Sequence, residues 1–538
     1  MEGRHVPVLI VGGGPVGLAL AGDLGWRGVG CELVEQTDGA IATPKMNEVN
    51  TRTMEFCRRW GIADRVRNCP FPDDWPLDIV FLTSLAGYEL GRMRRPPRAA
   101  QLPESHSPER LQACSQMWFD PMLRDFAQSC PGVRLRYRTR LDAFEDQGDR
   151  LAAEFVDLDS GARERVTADY LVACDGANSM VRNSLDIGHT GKGVLGHPLS
   201  LFFRAPDLLK QCGKEPGTFF LAIDRNGLWA NIRIVDPANG LWRIMVLDTD
   251  GQQTPETIDR DALVRRAVGR PIDVKWAGLN IWTRRSAVAE CYSKGRVFLA
   301  GDAVHQLSPT GALGMNTGIG DAVDLGWKLA AVIDGWGGPE LLASYDAERR
   351  PVGLRNVAMT TGFYLAHDQF AGGLAAIEDD NDDGRRLRAQ IGERIVRDVG
   401  AMFRTIGLQL GYRYEGSPIC IHDNTPAPPD QADAYVPSAR PGSRAPHVGL
   451  RDGRSILDLF GRGFTLLRFG ADAPEGSALA ASAAARGVPF NSVTLHEADA
   501  AGLYQRRLAL IRPDGHVAWR GDALPGDLIQ VMDRVCGA

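Results

Sequence analysis

The 538-residue chain has no CxxC pair, no apolar run approaching 18 residues and no internal repeat. Its ten cysteines are scattered from Cys31 to Cys536, and none stands at metal-ligand spacing from a histidine. A structural zinc site is therefore not expected, nor is thiol–disulfide exchange by the C-terminal part, and no metal is expected. Without a long apolar run there is no candidate membrane-spanning helix, so no membrane partner is expected. A basic excess is missing too. Lys plus Arg number 61 against 67 for Asp plus Glu, a net charge of −6, which argues against a nucleic-acid partner. The apolar run Val6 to Val11 follows Arg4 and His5, but it passes directly into Gly12-Gly13-Gly14, where a signal peptide would need a longer run and a cleavage site. Scattered thiols with no such leader fit a cytoplasmic protein.

What is present is α/β patterning. Val8 to Val11 reads as a strand buried on both faces, Pro15 opens a helix running to about Arg27, and Cys31 to Val34 is a second strand ending at Glu35. From about Gly196 to Asp248 the character changes. Leu199–Phe203, Thr218–Ala222, Leu228–Val235 and Leu241–Leu247 are short apolar runs separated by turns such as Asp224 to Gly227, which predicts an antiparallel sheet rich in aromatics. Farther on, Arg296–Ala300 reads as a strand, and 321–333 and 385–408 as helices. The last hundred or so residues alternate strands with an Ala-rich helix.

Gly12, Gly14 and Gly17 satisfy G-x-G-x-x-G between the first strand and its helix. Gly12 allows the tight turn, Gly14 lets backbone approach a pyrophosphate, and Gly17 lets helix and strand pack closely. Pro15 and Val16 complete that helix start, where free N–H groups attract phosphate. Glu35, with Gln36 after it, ends the second strand where an acidic group accepts hydrogen bonds from a ribose. The fingerprint alone does not separate NAD from FAD.

Two later motifs do: Asp175-Gly176-Ala177-Asn178-Ser179-Met180-Val181-Arg182 after the strand Tyr170–Cys174, and Gly301-Asp302-Ala303-Val304-His305 followed by Pro309-Thr310-Gly311-Ala312-Leu313-Gly314-Met315-Asn316-Thr317-Gly318. With the fingerprint, they resemble the single-component FAD-dependent aromatic hydroxylases of the p-hydroxybenzoate hydroxylase superfamily. Arg52-Thr53-Met54-Glu55-Phe56 and the tail from Pro441, including Arg512-Pro513-Asp514-Gly515-His516, resemble its phenol hydroxylase and dichlorophenol monooxygenase branch.

The resemblance implies an α/β fold: a Rossmann-like FAD-binding domain, an inserted antiparallel substrate sheet and a C-terminal thioredoxin-like domain. The divisions expected are 1–185 (with a substrate-side insertion near 75–110), 186–284, 285–410, a linker over 411–440, and 441–538. It also implies bound FAD, with NADH or NADPH as a transient co-substrate, since a second fingerprint is missing. By resemblance Asp302 meets the ribityl chain, Gln116 the ribityl or phosphate region, and Asp175 the pyrophosphate, with Arg182 supporting the Asp–Gly turn. Gly301, Pro309, Gly311, Gly314, Met315 and Asn316 surround the flavin. Lys45 replaces the arginine many relatives carry, and loses bidentate phosphate geometry.

The implied reaction hydroxylates an aromatic (phenolic) substrate with O2, through a flavin C4a-hydroperoxide. For catalysis, Pro309 lines the flavin face and Asn47 matches a polar position near the ring, although an amide cannot take a proton. His305 is the candidate base. A polyketide-tailoring or Baeyer–Villiger oxygenase, or a flavin reductase or oxidase, remains open on the same scaffold, and a homodimer is possible.

Overall fold

A computed structural model describes residues 4–102, 104–366 and 372–538. Its main sheet is built on the strand Arg4–Val11, which pairs in parallel with Cys31–Val34 on one side and Arg163–Ala173 on the other. Val133–Arg136 and Val297–Leu299 extend it, also in parallel. The helix Pro15–Arg27 packs on this sheet beside the long helix Gly314–Ile333. Val8, Leu9 and Ile10 are fully buried, as continuous aliphatic strands in covered parallel sheets must be.

The second sheet has seven strands in the order Lys275–Ile281, Leu199–Arg204, Leu241–Val246, Gly227–Asp236, Phe219–Asp224, Ile79–Leu82 and Glu89–Met93. The central strands lie within a few residues of the sequence expectation. The sheet is not wholly antiparallel: Phe219–Asp224 and Ile79–Leu82 run in parallel, because the latter arrives from the 75–110 segment and not by a hairpin. One face, including Leu201, Phe203, Ile232 and Ile244, packs on Val264, Ala267 and Val268 of the helix Arg260–Val268.

The helix expected over 385–408 spans Asp382–Asp398 instead and gives way to a 3-10 segment, Val399–Phe403. It begins early because Asn381 caps it, accepting from the Gly384 N–H at 2.9 Å, and Asp382 and Asp383 suit the positive end of a helix. The acidic stretch is thus partly first turn and not all loop.

The C-terminal sheet runs Phe490–Leu495, Phe464–Phe469, Leu508–Ile511, Val517–Gly521, with the first pair parallel and the rest antiparallel. It is not a detached unit. Trp327, Trp336 and Leu341 share one core with Phe464, Leu466 and Leu508. Charge ties it down as well: Glu55, on the helix Thr51–Arg59, pairs with Arg52 at 2.7 Å and with both Arg444 nitrogens that face it, and accepts from Ser107 Oγ at 2.6 Å.

Burial alone would raise the Glu55 carboxyl, but Arg444 and Arg52 hold it down at about 2 against an ordinary 4.5. A depressed folded-state value stabilises the fold fully above pH 4.5, and that contribution is lost as pH falls through 4.5 toward 2. Glu55→Gln should therefore remove about 3 kcal/mol of stability at neutral pH and much less near pH ~3. Urea midpoints of the two proteins across that range test it; a gap that stays constant with pH would refute the assignment.

Candidate active site

The glycine turn is forced by its surroundings. Gly12 sits at φ 107°, and a Cβ there would lie 2.3 Å from the Cys174 carbonyl oxygen; one on Gly17 would lie 2.0 Å from the Gly12 oxygen. A Cβ on Gly14 would meet nothing within 4 Å. Strand, turn and helix are thus pressed together while Gly14 faces open space, the cradle a pyrophosphate requires. Pro15 follows as the first residue of the helix. The Glu35 carboxylate accepts from the N–H groups of Gly13 and Thr37, each at 2.7 Å, and from Thr37 Oγ1 at 2.8 Å. It is thereby fixed at the strand end with acceptor capacity to spare. Gln36 next to it is exposed.

Two further turns converge on the same edge of the sheet. Asp175 accepts from the Val181 N–H at 3.2 Å, and its other oxygen is buried with no partner among the described residues. Burial pushes its carboxyl up. Arg182 donates to the carbonyls of Ala177 at 3.3 Å and Ala303 at 3.0 Å, so one guanidinium braces the Asp175 turn against the Gly301–Ala303 turn. A Cβ on Gly301 would press on Val16 at 3.0 Å, so the glycine lets the two motifs touch. Asp302 opens on the cleft; the protein around it pushes its carboxyl up, against the pull of His305 and Lys45. Among the described residues no hydrogen bond satisfies it. Gln116 uses its oxygen on the Lys45 N–H at 2.9 Å and its amide on Asp120 at 2.9 Å, so its visible work is to hold the Lys45 loop.

The helix Gly314–Ile333 has no side-chain cap, and its first N–H groups lack intrahelical partners. Gly311 at φ 91° and Ala312 at φ 55° make the left-handed turn leading into it, with Pro309 exposed ahead of them. Gly314 faces open space, and Met315 is partly exposed beside it. The Asn316 side chain is fully engaged. It accepts from the Asn50 N–H at 3.0 Å and Thr53 Oγ1 at 2.8 Å, and donates to the carbonyls of Ala312 at 2.9 Å and Glu48 at 3.3 Å. Only its backbone N–H remains for a ligand.

His305 is not a candidate base. It is 0 % exposed, its Nε2 lies 2.7 Å from Asp321, and Asp321 in turn accepts from Arg349 at 2.8 Å and from the Gly301 N–H at 3.1 Å. The imidazole is sealed behind the Gly301–Asp302 turn, where no substrate reaches it.

The sheet supplies what the sequence reading missed. Cross-strand register aligns Phe202, Arg243, Arg233, Phe219 and Ile79 in one row. Two residues along each strand, Ser200, Met245, Asn231 and Leu221 share that face, opposite the apolar core of the sheet. Phe202 packs with Met117, next to Gln116, and Arg233 reaches Glu48 at 3.0 Å. The row thus looks toward the flavin-binding side. Among the described residues, buried Arg243 has only Asn231 Oδ1, at 3.1 Å, as a hydrogen-bond partner; burial and then neighbouring Arg233 push it down to about 9. Charged residues within apolar strands were the available signal.

Residues 5–360 match the family model for an FAD binding domain, and 438–538 that for the C-terminal region of aromatic-ring hydroxylases. The chain belongs to the FAD-dependent aromatic-ring hydroxylases. Over 96% of its length this hydroxylase is 35% identical to the FAD-dependent monooxygenase apdD of Emericella nidulans, covering 88% of that protein. It is 34% identical to the 4-methyl-5-nitrocatechol 5-monooxygenase of a Burkholderia species, over 97% of this chain and 95% of that one. Among solved structures, chromopyrrolic acid-soaked RebC with bound 7-carboxy-K252c is 41% identical, with a TM-score of 0.92 and full coverage of both chains. The hydroxylase is accordingly an FAD-dependent aromatic-ring monooxygenase, of a family for which NAD(P)H is the usual reductant. The open cradle at Gly14, the exposed Asp302 carboxylate, the Asp175 oxygen left without a partner among the described residues and the bare helix start at Gly314 fit the cofactor. Among the described residues, no helix is long and apolar enough to cross a membrane.

Proposed function

We propose that this hydroxylase oxygenates a polycyclic, phenolic aromatic substrate that carries a carboxylate, held by Arg233 and Arg243, with O2 as oxidant and in the cytoplasm. The observation that carries the reading is Arg243: a buried guanidinium with no carboxylate paired to it among the described residues. A buried cation is costly unless a counter-charge reaches it, and a ligand carboxylate matches its fork. Glu48 pairs with Arg233 and is also acted on by Arg95, so one carboxylate is shared between two cations and the pocket keeps a positive excess. Phe202 and Phe219 flank the two arginines in the row and offer apolar surface to fused rings. The names of the RebC ligands, chromopyrrolic acid and 7-carboxy-K252c, are those of acids, which favours the same chemistry here.

Bound FAD, once reduced by NADH or NADPH, supplies activated oxygen from O2. Gly12, Gly14, Pro15, Val16 and Gly17 would cradle its pyrophosphate, Glu35 and Asp302 would take its ribose and ribityl hydroxyls, and Lys45 and Asp175 would border its phosphates. The N–H groups of Gly314, Met315 and Asn316 would face the negative charge of the reduced ring. Pro309 and Gly311 would close over that ring. Asn47 keeps a buried amide oxygen without a partner among the described residues, available to accept the O–H of a ring hydroxyl and orient it. Phe202, Phe219 and Met245 would exclude water from the reacting edge.

Arg243→Met tests the reading. Against a panel of polycyclic aromatic acids and their methyl esters, KM for an acid that stimulates NAD(P)H oxidation should rise about 10- to 100-fold, with kcat less affected. KM for its ester should stay nearly unchanged. Equal stimulation of the native enzyme by acid and ester, with the same hydroxylated yield, would refute the carboxylate assignment.

A further inference from the structure

Cys69 and Cys114 lie far apart in sequence and come together beneath the surface. Cys69 follows the short helix Ala63–Arg67, and Cys114 follows the strand Gln112–Ala113 and precedes the helix Gln116–Ser129. Cys69 Sγ donates to the carbonyl oxygen of Ala113, the residue bonded to Cys114, at 3.3 Å, and the two thiols lie close enough to shift each other's ionisation. Arg98 adds a cation: its Nη1 donates to Cys69 Sγ at 3.2 Å and to the Arg67 carbonyl at 2.8 Å, while Asp73 holds its other nitrogen at 2.6 Å. A thiol that receives a guanidinium N–H beside a second thiol is arranged for oxidation and capture. Access requires the short 3-10 turn Arg98–Ala100 to open, since the Arg98 side chain is 7 % exposed and covers Cys69, which is 4 % exposed.

We propose that Cys69 and Cys114 form a peroxide-reactive dithiol site, with Cys69 as the attacking sulfur and Cys114 as the resolving one. The Cys69 thiolate attacks one oxygen of hydrogen peroxide; the O–O bond breaks, hydroxide leaves, and Cys69 becomes a sulfenic acid. The Cys114 sulfur then attacks the Cys69 sulfur, the S–O bond breaks, and the departing hydroxide takes the Cys114 proton to leave as water. Two thiols and one peroxide give one disulfide and two waters, and the two sulfurs together lose two electrons. The neighbouring Cys114 thiol, outweighing burial, brings the Cys69 thiol down to about 6, whereas Cys114 is pushed well up. That division suits an attacking and a resolving thiol. Cys130, Cys174, Cys212 and Cys291 are all more exposed than Cys69, yet burial raises each of their thiols. Exposure and thiolate chemistry therefore predict opposite orders of reaction.

The holoenzyme, treated with a small excess of hydrogen peroxide and then alkylated, should lose Cys69 and Cys114 alkylation first, while the four more exposed thiols stay alkylatable. Non-reducing peptide mapping should yield a Cys69–Cys114 cross-link lighter by two hydrogens, which dithiothreitol reverses. Cys114→Ser should leave a Cys69 sulfenic acid that dimedone traps, and Cys69→Ser should abolish cross-link and adduct alike. Earlier oxidation of the exposed cysteines, indiscriminate oxidation of all ten, or Cys69 oxidation without a cross-link would each overturn the proposal. The native-protein map decides it even if neither variant folds.

Discussion

Asp302→Ala should lower FAD affinity by about 10- to 100-fold, the loss expected when a charged acceptor no longer meets a ligand hydroxyl. The turn that carries Asp302 is over-determined. Gly301 takes φ 63° against Val16, its N–H donates to Asp321, and Arg182 grips Ala303 from the far side. Alanine at position 302 therefore leaves the turn in place and removes only the carboxylate. Asp302→Asn keeps an acceptor oxygen and should retain an intermediate affinity, which separates the hydrogen bond from the charge. Titration of apoprotein with FAD, read by flavin fluorescence, measures both. An alanine variant that purifies fully yellow would remove Asp302 from the cofactor site.

The second large effect is expected at Arg512→Met, a loss of about 3–5 kcal/mol of stability. Arg512 comes from the C-terminal region and is wholly buried against the long helix and its neighbour, the helix Pro339–Leu365. It contacts both Glu348 oxygens at 2.5 and 2.8 Å, Asp514 at 2.7 Å and Asp324 at 3.2 Å, and Lys328 bridges Asp324 and Glu348 at 2.7 and 2.6 Å. Burial pushes Asp324 up, while Arg512 and Lys328 overcome burial to hold Glu348 low. His516, pushed down to about 4 by burial, adds no cation at neutral pH. With methionine at 512, Lys328 keeps its bonds to Asp324 and Glu348, while Asp514 loses its cation in a dry site. The double variant Arg512→Met with Glu348→Met should recover much of the loss, since what is costly is the stranded charge. Urea unfolding of the single and double variants tests this; a single variant within about 1 kcal/mol of native would show that water reaches the cluster. Removing residues after Pro441 is the harsher form of the same change, because it also bares Trp327 and Trp336.

The local chemistry of the cofactor edge was legible because glycines are punctuation. Gly12, Gly17 and Gly301 stand where backbone or side chains approach too closely for a Cβ, and the strands leading to them are unbroken aliphatic runs. The substrate side was less legible. Pairing of Phe219–Asp224 with Ile79–Leu82 joins segments about 140 residues apart, and nothing local encodes it. Arg233 and Arg243 each interrupt an apolar strand, but only cross-strand register makes them neighbours. His305 misled for the opposite reason. Adjacent to the flavin motif in sequence, it turns inward to Asp321, and strand alternation over so short a segment gives no way to read that direction. Asn316 lies where the motif predicts contact with the flavin, yet its amide group clasps the helix Thr51–Arg59.

The helix Gly314–Ile333 begins where the flavin ring would sit and carries Asp324 and Lys328 into the charge cluster some turns later, a rigid rod about 30 Å long. Its two ends face different demands. The distal part is bolted in place by buried ion pairs, whereas the inner face of the seven-stranded sheet presents Phe202, Met245 and Phe219 on strands whose packing core lies on the opposite side. Redesign of substrate range therefore has a natural boundary in this molecule: the sheet can be re-tailored side chain by side chain, while the rod and its anchorage are best left as the chassis.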